Sequence, residues 1–512
     1  MRIIRFGAAG LAAIVLAGCG TTAATEKTRD TTTAESVTAE SAAVTTATQA
    51  QDVTEALASK KAAHEVVASW DEADVVEVAL SDSVDGTVTI TDPGTYRLSG
   101  SLAGQVVVHS ESDLPVQLIL DGVDITSETG AAIAITAAEE VVVILADGSV
   151  NTLTDSVTYA DTSTDAPNAA LWSADDMTIA GTGSLTVTGG SNDGIASKDG
   201  LVIEAGDITV DAVDDGIRGK DYLVVEGGTI TVSAGGHALK SDNTDDSTVG
   251  YVALLGGVVE LTSGEDGVNA QYVIVGASDV TVDAVDDGLH ADGDMVIGDG
   301  TISIVASYEG LEAATMAISG GTIDIVADED GINIAGGADS SGAGGPGGGD
   351  QFAANSDYWV AVTGGTITID AQGDGFDSNG YATMSGGTLT VHGPTGNGNG
   401  AIDVNGTFEI SGGTLVAGGS SGMAEAPEAS SAQGWASVTF NGSVAAGTTV
   451  ELVSDGVTVA SYTAEKTFGS VVFSTAEIVS GAQYEVVVDG QSVGTVTAGQ
   501  HVGGMGGGGP RG

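Results

Sequence analysis

Along most of this chain apolar and polar residues alternate with a period of two in short bursts, as in Thr229-Ile230-Thr231-Val232 and Thr366-Ile367-Thr368-Ile369. That period sends successive side chains to opposite faces, so each burst predicts a short strand with one buried face. Two marks punctuate the bursts. The first is an acidic residue, Gly, then an aliphatic: Asp193-Gly194-Ile195, Asp215-Gly216-Ile217, Asp266-Gly267-Val268, Asp287-Gly288-Leu289, Glu309-Gly310-Leu311, Asp330-Gly331-Ile332 and Asp374-Gly375-Phe376. His237-Ala238-Leu239 takes the same place once, and the spacings are then 22, 22, 29, 21, 22, 21 and 44. The second mark is Gly-Gly-Thr-aliphatic, as at Gly227–Ile230, Gly320–Ile323, Gly364–Ile367 and Gly386–Leu389. A unit of ~22 residues with two or three strands cannot bury its apolar face alone, so stacked copies forming a parallel β-helix are expected. A leucine-rich repeat would need Leu at fixed places and helical spacers, and neither is present. The glycines are expected to supply positive φ at the corners.

The repeat occupies residues 171–424, with a Gly-rich insert near 336–357. Residues 73–170 are strand-rich but less regular, and predict early coils or a cap. Residues 435–500 lose the repeat, and Val438–Phe440, Thr449–Leu452, Val457–Tyr462, Ser470–Phe473 and Tyr484–Val488 predict a small C-terminal antiparallel β module. Residues 501–512 are a Gly-rich tail. At the other end, Arg2 and Arg5 precede an apolar run, Phe6–Ala17, too short to span a bilayer. It ends in Leu16-Ala17-Gly18-Cys19, which resembles the bacterial lipobox, and Cys19 is the only Cys. Residues 1–18 are therefore expected to be a lipoprotein signal peptide and Cys19 the lipidation site. The mature protein would be extracellular and held to the cell membrane by that anchor alone. Residues 19–72, rich in Thr, Ala, Ser and Glu, read as a tether with some helix near Glu55–Val67.

Charge narrows the picture. With 13 Lys+Arg against 71 Asp+Glu the net charge is −58, which excludes nucleic acid and anionic membrane surfaces as main partners. One Cys excludes a disulfide framework and a multi-Cys metal site. A hydrophobic content of 42% excludes a wholly disordered acidic chain. Aromatics are only 4%, so sugar stacking on Tyr222, Tyr251, Tyr272, Tyr308, Trp359, Phe376 or Tyr381 competes with packing at coil edges.

The acids are not scattered. In stacked repeats the residues before the repeat Gly lie about 4.8 Å apart. Two carboxylates at that distance repel by roughly 3–4 kcal/mol at an effective dielectric of 20. Calcium is the natural counter-ion for such a column, with Asp214, Asp215, Glu265, Asp266, Asp286, Asp287, Glu329 and Asp330 as candidate ligands. The alternative is that these acids serve corner hydrogen bonds. Three residues after the anchors runs a second column, Arg218, Lys240, Asn269 and His290, continued by Glu312, Asn333 and Asp377. Lys198 and Lys220 form a further pair at offset five. Lys198, Arg218, Lys220, Lys240, Asn269 and His290 are the candidate ligand-binding residues.

Pro167-Asn168-Ala169-Ala170, Ser173–Ile179, Asp193–Asp199 and Asp214–Asp221, with the recurring Gly-Gly-Thr-Ile, together resemble a bacterial β-helix family of carbohydrate-binding domain-containing proteins. These are exported, often lipid-anchored and related in fold to pectate lyases. The resemblance implies an all-β, right-handed parallel β-helix, bound calcium and a polysaccharide partner. The chain departs from the family pattern at Gly235-Gly236-His237-Ala238, where Gly-Asp-Gly is the rule. A pectate-lyase-like reaction would need a neutral Arg or Lys as base, and Arg218, beside Asp214 and Asp215, is expected to stay charged. No nucleophile elbow or Ser-His-Asp set is present. The expected function is therefore non-catalytic binding of polysaccharide, acidic chains included, at the cell surface. A pectate-lyase-type lyase or hydrolase, and a surface adhesin or structural protein, are the alternatives. The oligomeric state cannot be read from these features.

Overall fold

The computed structural model describes residues 52–65, 68–82, 86–163, 166–336 and 354–500. The signal peptide, Cys19, most of the tether, most of the Gly-rich insert and the Gly-rich tail lie outside the described residues. The fold is all-β, with one α-helix, Val53–Ala58, among the described residues.

Each repeat contributes one strand to each of three parallel ladders. One ladder runs Val150–Thr154, Ser184–Gly189, Asp207–Ala212, Thr229–Ala234, Val258–Ser263, Asp279–Ala284 and onward. Its alternation is visible in the burial: Ile208, Val210, Ile230, Val232, Val259 and Leu261 point inward, while Thr209, Glu260 and Asp211 face water. A second ladder runs Met177–Gly181, Gly200–Ile203, Tyr222–Val225, Tyr251–Leu254 and Tyr272–Val275. The third carries the anchors, through Ala169–Ser173, Asp193–Ser197, Ile217–Gly219, Leu239–Ser241 and Val268–Ala270. The inward aliphatics of all three ladders merge into one core that extends from Leu80 to Val472. Burying each such side chain contributes roughly 1.5–3 kcal/mol.

The two classes of glycine do different things. The second Gly of each Gly-Gly-Thr mark adopts the expected left-handed conformation, with φ of +94° at Gly228 and +82° at Gly365. The anchor glycines do not. A Cβ on Gly194 would collide with the Val210 side chain and the Gly216 carbonyl, and Gly216 is pressed the same way by Val232 and Ala238. At the anchors glycine is required by close approach of chain to chain, not by φ.

Residues 73–170 are part of the same ladders: Gln105–His109 pairs in parallel with Ile133–Ala137, and that strand with Ala169–Ser173. Beyond the last parallel strand, Thr414–Gly419 pairs antiparallel with Phe468–Ser474, which also pairs with Trp435–Val444. A separate four-stranded antiparallel sheet holds Thr449–Ser454, Val457–Thr463, Gln483–Val488 and Gln491–Thr497. The segment read as a tether is docked in part: helix Val53–Ala58, capped by Asp52, is followed by non-helical residues 61–65.

Candidate functional site

The anchors stack through their backbones. Gly194 N–H donates to the Asp215 carbonyl, Gly216 to His237, Gly267 to Asp287, Gly288 to Glu309, Gly310 to Asp330 and Gly331 to Asp374. Their carboxylates divide the work. Oδ1 accepts from the backbone of the next repeat: His237 N–H donates to Asp215 at 3.1 Å, Asp287 N–H to Asp266 at 3.0 Å and Asp374 N–H to Asp330 at 2.6 Å. The corner hydrogen-bonding role is therefore real. Oδ2 is left for whatever occupies the neighbouring column.

That column stays in register over many repeats: Ala134, Trp172, Ala196, Arg218, Lys240, Asn269, His290, Glu312, Asn333, Asp377 and Asp403. Lys240 Nζ lies 2.9 Å from Asp215 Oδ2, and Asn269 Nδ2 donates to Asp266 Oδ2 at 2.7 Å. His290 Nδ1 lies 3.0 Å from Asp287 Oδ2 and 2.8 Å from Glu312 Oε2. His237 sits between Glu265 and Asp266 at 3.0 and 3.3 Å, so the repeat that departs from the family pattern places an imidazole beside these two acids. Burial opposes charging of His290, but bonds to Asp287, Asp292 and Glu312 outweigh it and push the imidazole up to about 12. Burial likewise pushes Asp266 up, yet hydrogen bonds from His237 and Asn269 leave it below the ordinary carboxylate value.

Arg218 differs from its expected setting. Its guanidinium is bound in a fork to Asp242, with Nη2 2.7 Å from Oδ2 and 3.0 Å from Oδ1, rather than to Asp214 or Asp215. Burial opposes its charge, and Asp242 more than restores it, so Arg218 is held above its ordinary value.

Of the proposed metal ligands, Asp266, Asp286 and Asp287 offer oxygens within 4.8 Å of one another, and Asp287, His290 and Glu312 form a second such group. Asp215 and Asp266 are buried and already paired, Asp214 and Glu265 are exposed, and Glu329 and Asp330 are half-buried. Further along, the chain gathers more carboxylates around Asp330, of which Glu309, Asp374, Asp377 and Glu425 were not among the candidate ligands read from the sequence. Burial, then the charges of neighbouring acids, push Glu309 up to about 9, Asp377 to about 9 and Asp330 to about 7. Burial also raises Asp374 to about 6, offset in part by the Gly400 N–H, and Glu425 to about 7. Asn333 lies among them: Nδ2 donates to Glu309 at 2.6 Å, while its buried Oδ1 has no partner. These are hard oxygen donors of the kind calcium takes, although the groups whose ligand atoms lie within 4.8 Å of one another among the described residues are the two at Asp287.

At the opposite end of the column is a cavity of 690 Å³, within the roughly 300–1,000 Å³ range of ligand pockets. Trp172 and Ala196 form its wall, Asn168, Ser191, Asn192 and Ser197 line it with polar groups, and Lys198, Arg218 and Lys220 converge on it. Asp161 is the one carboxylate among the described lining residues, and the Arg218 charge is shared with Asp242 behind it. Lys220 makes no ion pair among the described residues, and Lys198 Nζ stands 5.9 Å from the Trp172 ring centroid. Trp172 is 3% exposed and therefore a wall rather than a stacking platform, and its buried Nε1 has no acceptor. The sequence did carry a signal for Trp172: Ala169-Ala170-Leu171 occupies the anchor position.

A family model described as carbohydrate-binding domain-containing protein matches residues 84–331 and again 272–477. The chain belongs to this family. A carbohydrate-binding domain-containing protein from Acetivibrio thermocellus is 40% identical over 232 residues, covering 43% of this chain and 81% of that protein. A solved structure described as the polysaccharide lyase-like protein from C. thermocellum, as a gadolinium derivative, is 36% identical, with a TM-score of 0.39. That match covers 41% of this chain and 90% of the other. In this carbohydrate-binding family member the acid-rich column and the cation-lined cavity are separate parts of one ladder.

Proposed function

We propose that this chain binds acidic polysaccharide without cleaving it, on a right-handed parallel β-helix supported by calcium. The observation that carries the reading is the convergence of Lys198, Arg218 and Lys220 on one cavity of a chain whose net charge is −58. Cations so sparse are best explained where they meet a negative group, and a uronate carboxylate is the acidic group of a polysaccharide. Asn168, Ser191 and Asn192 supply hydrogen bonds for ring hydroxyls. Binding without cleavage is favoured because Arg218 is fixed as a cation by Asp242 and so is a poor proton acceptor.

Three parallel ladders sharing one core are consistent with a sheet wound into a helix, and that closure belongs to the proposal. Calcium is assigned to the acids around Asn333, chiefly Glu309, Asp330 and Asp377, on their lack of an ion pair among the described residues rather than on converging ligand atoms, and it would supply positive charge there. Export and anchoring through Cys19 place the binding face outside the cell; Cys19→Ala is expected to release the protein into the medium.

The test is a titration of polygalacturonate and of a neutral glucan into the protein, with calcium and with chelator, while unsaturated products are followed. Binding of the uronan with the polymer left intact is the expected result. Release of unsaturated products would make the chain a lyase, and equal retention of both glycans would remove the role of the cations.

A further inference from the structure

Residues 52–65 lie across the ladder that holds Tyr222, Tyr251 and Tyr272. Val53, Ala56, Leu57 and Ala63 pack on an outward apolar strip made by Val202, Val224, Ala253, Ile274, Val296 and Ala317. The polar edge of the segment is equally committed. Lys61 N–H donates to the Thr248 carbonyl at 2.8 Å, Tyr251 Oη donates to the Lys61 carbonyl at 2.8 Å, and His64 N–H donates to Tyr222 Oη at 3.0 Å. His64 Nε2 lies 2.7 Å from Thr178 Oγ1. Lys61 Nζ bridges Asp199 at 3.1 Å and Asp221 at 2.7 Å.

Those two aspartates are the immediate neighbours of cavity lysines, in Lys198-Asp199 and Lys220-Asp221. The two lysines line the cavity, while their aspartates are held by the segment on the adjoining ladder. Both pairs belong to successive repeats, and the two carboxylates lie within hydrogen-bond reach of each other, with Asn243 donating to Asp221; Lys61 is the cation they share among the described residues. Without Lys61 their field would oppose the cations of the cavity.

We infer that residues 52–65 are a clasp that sets the charge balance of the acidic-sugar cavity, with Lys61 as its positioning residue. The inference rests on the cavity being the binding site proposed above. Docking of the clasp sets one ammonium against Asp199 and Asp221 and so weakens the negative field these acids exert on the cavity. By linkage, an acidic sugar in the cavity favours the docked clasp to the same extent. A pull on the chain preceding residue 52 would then weaken binding.

Trigalacturonate is titrated into the wild-type protein, Lys61→Gln and Lys61→Arg at low and high ionic strength. Amide exchange over 52–65 is followed with and without the sugar. Lys61→Gln is expected to bind about 5-fold more weakly at low salt and to converge with wild type at about 0.5 M salt, because the coupling is Coulombic. Lys61→Arg should restore affinity, and the sugar should slow exchange at Lys61 and His64. Wild-type affinity in Lys61→Gln at low salt, or exchange over 52–65 that ignores the sugar, would overturn the clasp while leaving the cavity standing. A wild-type protein that binds no trigalacturonate would overturn both, and the wild-type titration alone tells that case apart.

Discussion

Between Asp215 and Glu312 the buried acids of the column have basic side chains built beside them, in Lys240, His237 and His290. Between Glu309 and Glu425 the same ladder half-buries Asp330, Asp374, Asp377 and Asp403, and none of these makes an ion pair among the described residues. Backbone geometry is shared, since the anchor Oδ1 accepts the next N–H in both stretches. Only the occupant of the offset-three column differs: Lys240 and His290 in one, Asn333 and Asp377 in the other. The first stretch carries its counter-charge in the chain. The second must take up protons or an external cation.

The largest effect should come from breaking the built-in arrangement. Lys240→Met leaves Asp215 buried without its partner and should cost about 3 kcal/mol in thermal unfolding, with calcium giving no rescue. Adding Asp215→Asn should recover most of that loss, and a Lys240→Met protein as stable as wild type would remove the pairing from the account.

Calcium removal should touch only the second stretch. There the folded-state carboxyls titrate above their unfolded values, to about 9 for Glu309 and Asp377 and about 7 for Asp330. Their contribution is complete below the unfolded value near pH 4 and is lost as pH rises through 7 to 9. Chelator at pH 8 should therefore lower the melting temperature by roughly 5 °C and speed amide exchange over 309–425, while at pH 5 it should change little. Uniform destabilisation of both stretches would contradict the comparison.

Asp330→Asn sharpens it. The amide oxygen keeps the acceptor for Asp374 N–H while one charge is removed. Without calcium this variant should be more stable than wild type by on the order of 1–2 kcal/mol at pH 8, with a weaker calcium response. The smallest effect is expected for Trp172→Phe, within about 1 kcal/mol in stability, because the indole N–H has no partner to lose.

The repeat, its period and the polar column were legible because a stacked fold writes each contact into a fixed offset: Arg218, Lys240, Asn269 and His290 stand in register as their spacing implied. Partner choice within the column was not. Arg218 reaches Asp242 on a neighbouring turn of chain, and no offset rule selects it over Asp214. The clasp was illegible for a different reason. Its Thr- and Ala-rich surroundings carry no period, and its contacts join residues far apart in sequence, His64 with Thr178 and Lys61 with Tyr251. Some helix was expected near Glu55–Val67, and among the described residues it spans Val53–Ala58 and stops there, with Lys61 and His64 held by tertiary bonds in a non-helical run.

The central claim is that cavity cations select an acidic glycan. It is tested most directly by titrating trigalacturonate, in calcium, into wild type and into Lys198→Ala/Lys220→Ala, with melting temperatures measured on the same samples. The account predicts at least a tenfold loss of affinity, about 1.4 kcal/mol, with melting temperature unchanged. Equal affinity in the two proteins would contradict it.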